Sequence, residues 1–208
     1  MKKTRQLLIS HQAALAQCQL CPNMQGPPVH GEACASNIML IGQAPGFREI
    51  EVHRPFACTA GKTLFGWFNE IDMNEQRFRQ QIYMSAICRC FPGKKTRNGT
   101  PIKSGDRPPA KQEIENCSPW LNRELDILRP ELIIPVGKLA IARFMDFKKL
   151  TEVIGQQHPV RLSHGLSDLI PLPHPSGVST WPRTEPGKTL LNKALQLIQA
   201  HPAWQAII

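Results

Sequence analysis

The chain has 208 residues, enough for a hydrophobic core that needs no disulfide to hold it. Its 41% apolar and 20% charged residues exclude a disordered or fibrous polypeptide, and nothing approaches the run of about 20 apolar residues that a bilayer crossing needs. Basic residues exceed acidic ones by nine, which favours a polyanionic partner, and an odd count of seven cysteines argues against a fully paired disulfide framework.

At the N-terminus, Lys2, Lys3 and Arg5 precede Leu7, Leu8 and Ile9, like the start of a secretory signal. His11, Gln12 and Gln17 interrupt the apolar run, however, and no small-residue cleavage site follows, so a cytoplasmic, reducing location is expected. Cys18-Gln19-Leu20-Cys21 then supplies a close pair of soft ligands. Four apolar runs read as buried strands: residues 37–41, 82–87, 132–136 and 169–172. Their near-continuous apolar character suits a parallel sheet covered on both faces. Helical patterns fall between and after them, over 62–73, 110–128, 138–145 and 188–200. Pro119 predicts a break in the second of these, giving two helices with Ser118 as the cap. Residues 89–111 hold Arg89, Lys94, Lys95, Arg97, Lys103, Arg107 and Lys111 against Asp106 alone, among seven glycines and prolines. That stretch reads as a long basic loop able to neutralise phosphates.

The alternation predicts one domain over residues 1–208, a three-layer α/β/α sandwich around a mainly parallel four-stranded sheet with right-handed crossovers. In such sheets ligands bind at the carboxyl ends of the strands. Gly42-Gln43-Ala44-Pro45-Gly46 follows the first strand and His174-Pro175-Ser176-Gly177 follows the last, so both loops are expected on one edge. Cys18, Cys21, Cys90 and Cys117 together offer four thiolates. Their spacing leaves a [4Fe–4S] cluster and a structural four-cysteine zinc site equally open. Cys88 rivals Cys90, because the two share a strand face; Cys34, Cys58 and Cys88 otherwise read as buried small hydrophobes.

Taken in order, these pieces resemble the uracil-DNA glycosylase superfamily, in particular its iron–sulfur branch, often called family 4. The likeness runs from Cys18 to about Leu197. Cys18 to Pro22 resembles the first ligand pair, and Gly42 to Gly46 with Glu49 the first active-site motif. Arg54-Pro55-Phe56 and Ala60-Gly61 resemble the next segment. Arg89-Cys90-Phe91-Pro92 and Asn116-Cys117-Ser118-Pro119 resemble the segments carrying the remaining ligands, and His174 to Gly177 resembles the second motif. Three positions depart from the family pattern: Gln43 stands for a usual Glu, Ala86 for an Asn that reads the uracil edge, and His53 for a usual Gly. The first two imply a relaxed pocket that accepts other deaminated bases.

The resemblance implies a monofunctional DNA-repair glycosylase, a monomer acting on DNA that contains a deaminated base, with a [4Fe–4S] cluster on Cys18, Cys21, Cys90 and Cys117 and zinc as the alternative. Hydrolysis of an N-glycosidic bond requires the nucleotide to be flipped out and both a cationic sugar and an anionic base to be stabilised. The expected substrate contacts are Gly42, Gln43, Ala44, Phe56, Ala86 and His174. Of these, the main-chain N–H groups at Gln43 and Ala44 would face a base carbonyl, Phe56 would stack, and His174 would donate to the leaving base. Glu49 is the expected water-activating carboxylate, Glu51 its alternate, and Gln43 a water-positioning group. Lys62, Ser176, Gly177, Ser179 and Arg183 are the expected DNA contacts. Val178 or Trp181 reads as a wedge into the duplex, with a lid on the core as the other reading of Trp181. The rival function, raised by Gln43 and Ala86, is a non-catalytic iron–sulfur nucleic-acid-binding protein on the same fold.

Overall fold

The computed structural model describes residues 2–97, 100–177 and 179–208. Helix α1 (Lys2–Ala16) buries Leu8, His11, Gln12 and Leu15 and leaves the rest of its surface to solvent. Strand β1 (Ile38–Gly42) is buried at every residue, as expected of a strand with helices on both faces. Short helices α2 (Phe47–Val52), α3 (Thr59–Asn69) and α4 (Glu75–Gln81) lead to β2 (Tyr83–Ala86). The basic stretch then forms a hairpin, β3 (Lys94–Arg97) paired antiparallel with β4 (Thr100–Asp106). The stretch expected to be a loop therefore carries two strands among its described residues, and they form a separate two-stranded sheet.

Helix α5 (Lys111–Leu128) runs unbroken through Pro119, which overturns the expected pair of helices. An interior proline costs about 3 kcal/mol or more. Burial of Leu121, Leu125 and Leu128 offsets it, together with a buried carboxylate network around Glu124. Strand β5 (Leu132–Pro135) and the short helix α6 (Lys138–Ala142) follow. Next comes a second hairpin, β6 (His158–Leu162) and β7 (Gly165–Leu169), and then α7 (Gly187–Ala200) and α8 (Pro202–Gln205).

The main sheet has five strands, not four, in the order β2-β1-β5-β7-β6, parallel throughout except for the β6–β7 pair. The expected fourth strand is displaced. Regular pairing of β7 ends at Leu169, and of residues 170–172 only Leu172 makes a bridge, to Val136. Apolar side chains fill both layers. Phe68, Phe78 and Trp204 stack on one face, while Leu8, Leu121 and Leu125 cover the other.

On the α1/α5 side, a charged network crosses this core. Arg89 and Glu124, 1% and 0% exposed, form a bidentate ion pair with one N–O distance of 2.8 Å. Tyr83 and Ser85 each donate a hydroxyl hydrogen bond to the same carboxylate, at 2.7 and 2.8 Å. Burial alone would raise the Glu124 carboxyl, but Arg89 and the surrounding donors overcome it and hold it at about 2. The network joins β2 to α5.

Candidate active site at the carboxyl edge of the sheet

Because β1, β2 and β5 run parallel, their carboxyl ends deliver three turns to one rim. The loop Gln43–Gly46 leaves β1, residues 87–92 leave β2, and the His174 loop follows the segment beside β5. A cavity of about 710 Å³ opens there. It gathers Gly42, Gln43, Ala44, Glu49, Phe56, Ala86, His174, Ser176 and Gly177. Both sequence motifs, read 128 to 135 residues apart, thus share one wall-to-wall space. The outlying residues do not join it. Lys62 is exposed on α3, Ser179 and Arg183 lie outside the cavity, and Glu51 faces solvent. Val178 lies outside the described residues. Trp181 packs partly buried against the core, which favours the lid reading.

His174 is fixed by its own loop. Its Nδ1 accepts a hydrogen bond from the Ser176 N–H at 3.2 Å, so the neutral ring carries its proton on Nε2. Burial lowers its pKa, and the imidazole is therefore neutral at physiological pH and still able to donate. Gly137 makes room for it. A Cβ at that position would sit 3.0 Å from His174 Cδ2, and the backbone there has φ +86°, which favours glycine. Arg183, expected on phosphate, braces the loop through one of its guanidinium nitrogens, which donates to the Gly177 and Ser179 carbonyls at 2.8 and 3.2 Å.

Phe56 lines the same cavity. Its ring lies against Gly42, whose added Cβ would meet the ring at 2.9 Å, and its backbone takes a left-handed φ of 52°. Such strain in a bulky residue persists only where the surroundings enforce it. Arg79 enforces it here, donating to the Pro55 and Phe56 carbonyls at 2.8 and 2.9 Å while pairing with Glu75 at 2.8 Å. Sequence reading missed Arg79, because nothing local marks an arginine in a short helix as buried.

Glu49, 9% exposed, accepts from the Gly46 N–H at 3.2 Å and from the main-chain N–H groups of Ala57 and Phe56. Burial pushes its carboxyl up to about 7, against the pull of those donors and of Arg79. It is thus a carboxylate poised to gain or lose a proton near neutrality. The hairpin β3–β4 brings groups of the basic stretch, expected on phosphate, to the cavity wall. Lys94, Lys95 and Asp106 line the same cavity, with Lys94 Nζ 2.7 Å from Asp106 Oδ1. Cys58, expected in the core, is half-buried on the cavity wall.

A second cavity, of about 330 Å³, lies near the N-terminal segment, and Cys18, Cys21, Cys90 and Cys117 all line it. Leu15, Leu20, Met24 and Pro28 make up much of the remaining wall, and the Asn116 side chain donates toward Cys21 Sγ at 3.6 Å. Cys88 is fully buried and does not line this cavity; it contacts Cys117 from behind. That contact, with Arg89 beside it, holds the Cys117 thiol below its usual range. Among the described residues, no three His, Cys, Asp or Glu side chains converge as tightly as a single bound ion would require.

Comparison with known proteins agrees with this architecture. The family model described as "Uracil DNA glycosylase superfamily" matches residues 28–199. A protein of Pyrobaculum aerophilum named "Type-4 uracil-DNA glycosylase" is 26% identical over 79% of this chain and 80% of its own length. Proteins of the same name from Thermotoga maritima and Sulfurisphaera tokodaii are 26% and 29% identical, over 77% and 68% of this chain. The matched region spans 77% of the Thermotoga protein and 60% of the Sulfurisphaera one. With a family match over residues 28–199, the chain belongs to the uracil-DNA glycosylase superfamily.

Proposed function

We propose that the protein is a monofunctional glycosylase that hydrolyses the N-glycosidic bond of uracil, and of other deaminated bases, in DNA. The observation that carries this reading is that His174, oriented by the Ser176 N–H, lines one cavity of about 710 Å³ together with Phe56, Glu49 and the Gln43–Ala44 turn. The everted base stacks on Phe56 and lies against the Gln43–Ala44 main chain. As the glycosidic bond breaks, negative charge gathers on the base, and the His174 Nε2–H donates to its oxygen. A neutral donor suits this role, since it stabilises charge without first having to lose a proton to it.

Glu49, as carboxylate, stabilises the cationic sugar and accepts the proton of the attacking water, which the Gln43 side-chain carbonyl orients. Ala86 has no amide to read the base edge, which supports acceptance of hypoxanthine or xanthine beside uracil. Ser176 and Gly177 line the entrance and approach the DNA backbone, with Lys62 reaching phosphate further out. Ser179 and Arg183 hold that loop in shape. Lys94 is paired with Asp106 at 2.7 Å. The Gln43 and Ala86 substitutions leave the rival non-catalytic reading with no residue missing from the core constellation of His174, Phe56 and Glu49.

We also propose that Cys18, Cys21, Cys90 and Cys117 hold a [4Fe–4S] cluster. Zinc needs all four sulfurs about 2.3 Å from one point, whereas these four thiols line a cavity of about 330 Å³ and no three ligand side chains among the described residues converge on a single ion, which supports a larger inorganic core. When bound, the cluster joins the N-terminal segment to β2 and α5 as a closed structural site. The chain then works as a single monomeric domain in a reducing compartment. Among the described residues, no helix is long and apolar enough to cross a membrane.

The test is incubation with oligonucleotides carrying uracil or hypoxanthine, followed by alkali. Strand breaks only after alkali are expected for uracil. Absence of abasic product from every deaminated base, with tight DNA binding retained, would favour the non-catalytic rival.

A further inference from the structure

A third space adjoins the base cavity and is not used by the chemistry above. It measures about 940 Å³ and shares four wall residues with the base cavity: Phe47, Pro92, Lys94 and Lys95. Phe47 opens α2, directly after the first motif, and is 50% exposed. An exposed phenyl ring costs hydration free energy unless something covers it, and the one aromatic contact Phe47 makes among the described residues is with Phe91, edge-on at 6.0 Å. Lys94 lies over the face of Phe91 at 5.8 Å.

The charge of these walls is positive once internal pairs are removed. Glu113 is taken by Arg107 at 2.6 Å and Asp106 by Lys94 at 2.7 Å. Lys95 on the hairpin adds an exposed cationic group beyond those pairs, and Arg48, beside Phe47 and also exposed, lines the adjoining base cavity. An aromatic platform next to a cationic wall is how proteins hold unpaired nucleotides, with the ring taking the base and the cations the phosphates.

We infer that this space seats a single-stranded nucleotide adjacent to the everted one, its base stacked on Phe47 and its phosphate neutralised by Lys95. The inference rests on the proposed DNA-base excision, because continuity with the base cavity is what makes the occupant a neighbouring nucleotide. It makes the hairpin β3–β4 and Phe47 a selector for unpaired flanks. A base held in a duplex has its face covered by its neighbours and cannot reach the ring.

Fluorescence anisotropy with undamaged oligothymidylate tests it, since no catalysis is needed. Phe47→Ala should weaken binding roughly tenfold, in the range that loss of one base–aromatic stack produces. Lys95→Ala should lower the slope of log affinity against log salt by about 0.7. Binding to a fully paired duplex should change less than about twofold for Phe47→Ala, as for a surface residue that meets no base. Unchanged single-strand binding by both variants, or an equal loss on duplex, would overturn the inference. A protein that excises uracil yet shows no such loss sinks this inference alone. One that shows the loss but releases no base sinks the proposed activity alone.

Discussion

Two buried glutamates mark the difference between the two sides of this molecule. Glu124, between α5 and β2, meets a guanidinium, two hydroxyls and the nearby His11, and its carboxyl is held at about 2. Glu49, at the sheet edge, is almost as buried but meets mainly main-chain N–H groups, and its carboxyl rises to about 7. Burial has the same sign at both sites, so the partners decide the outcome. A full ionic partner locks one group as a permanent charge that fastens two elements together. Neutral donors leave the other near its titration point, where a proton can be moved.

Removing Glu124 should have the largest effect. Glu124→Ala leaves Arg89 charged and unpaired in the core, and should cost about 3–5 kcal/mol of stability by urea denaturation. The pH dependence follows from the depressed carboxyl. Its stabilisation is present above the ordinary value near 4.5 and lost as pH falls toward 2. A loss under 1 kcal/mol would mean that the network is solvated rather than buried.

Glu49→Gln probes the other side. Excision by the wild-type protein should rise with pH through a limb near 7, as Glu49 ionises. The variant should lose that limb and fall on the order of 100-fold at pH 8. For stability the sign reverses: a carboxyl raised in the fold favours folding at low pH, and that contribution is lost as pH rises through about 7. A pH limb that survives in Glu49→Gln would remove this residue as the base.

Two smaller substitutions test placement. Gly137→Ala should cost roughly 1–2 kcal/mol, because φ there is +86° and the new methyl crowds His174. Its activity should fall more than its stability predicts. His53→Gly should gain about 1 kcal/mol at most, since His53 caps α2 with a left-handed φ of 48°, the conformation that favours the glycine usual in the family. Thermal melts order the two.

Much of the site was legible in the chain because chemistry and position coincide there. The apolar runs at β1 and at residues 169–172 announce parallel strands, so the loops after them fall on one rim. The hairpins were less legible. Residues 158–162 alternate in burial as an edge strand does, but Pro159 sits within them; residues 165–168 include Gly165, Ser167 and Asp168, which dilute the apolar signal of β7. Proline and glycine density in the basic stretch masked β3–β4, whose two strands pair only with each other. Arg79 and the Arg89–Glu124 pair were invisible for a different reason. Their meaning lies in partners distant in sequence, the Phe56 carbonyl 23 residues from Arg79 and Glu124 35 residues from Arg89, and no local pattern encodes such a meeting.

The most direct measurement is single-turnover release of uracil from a single-stranded oligonucleotide by the wild-type protein and by His174→Ala. A neutral Nε2–H donor at the leaving base predicts a drop on the order of 100-fold or more, with affinity for undamaged DNA unchanged. Equal rates for the two proteins would contradict the account.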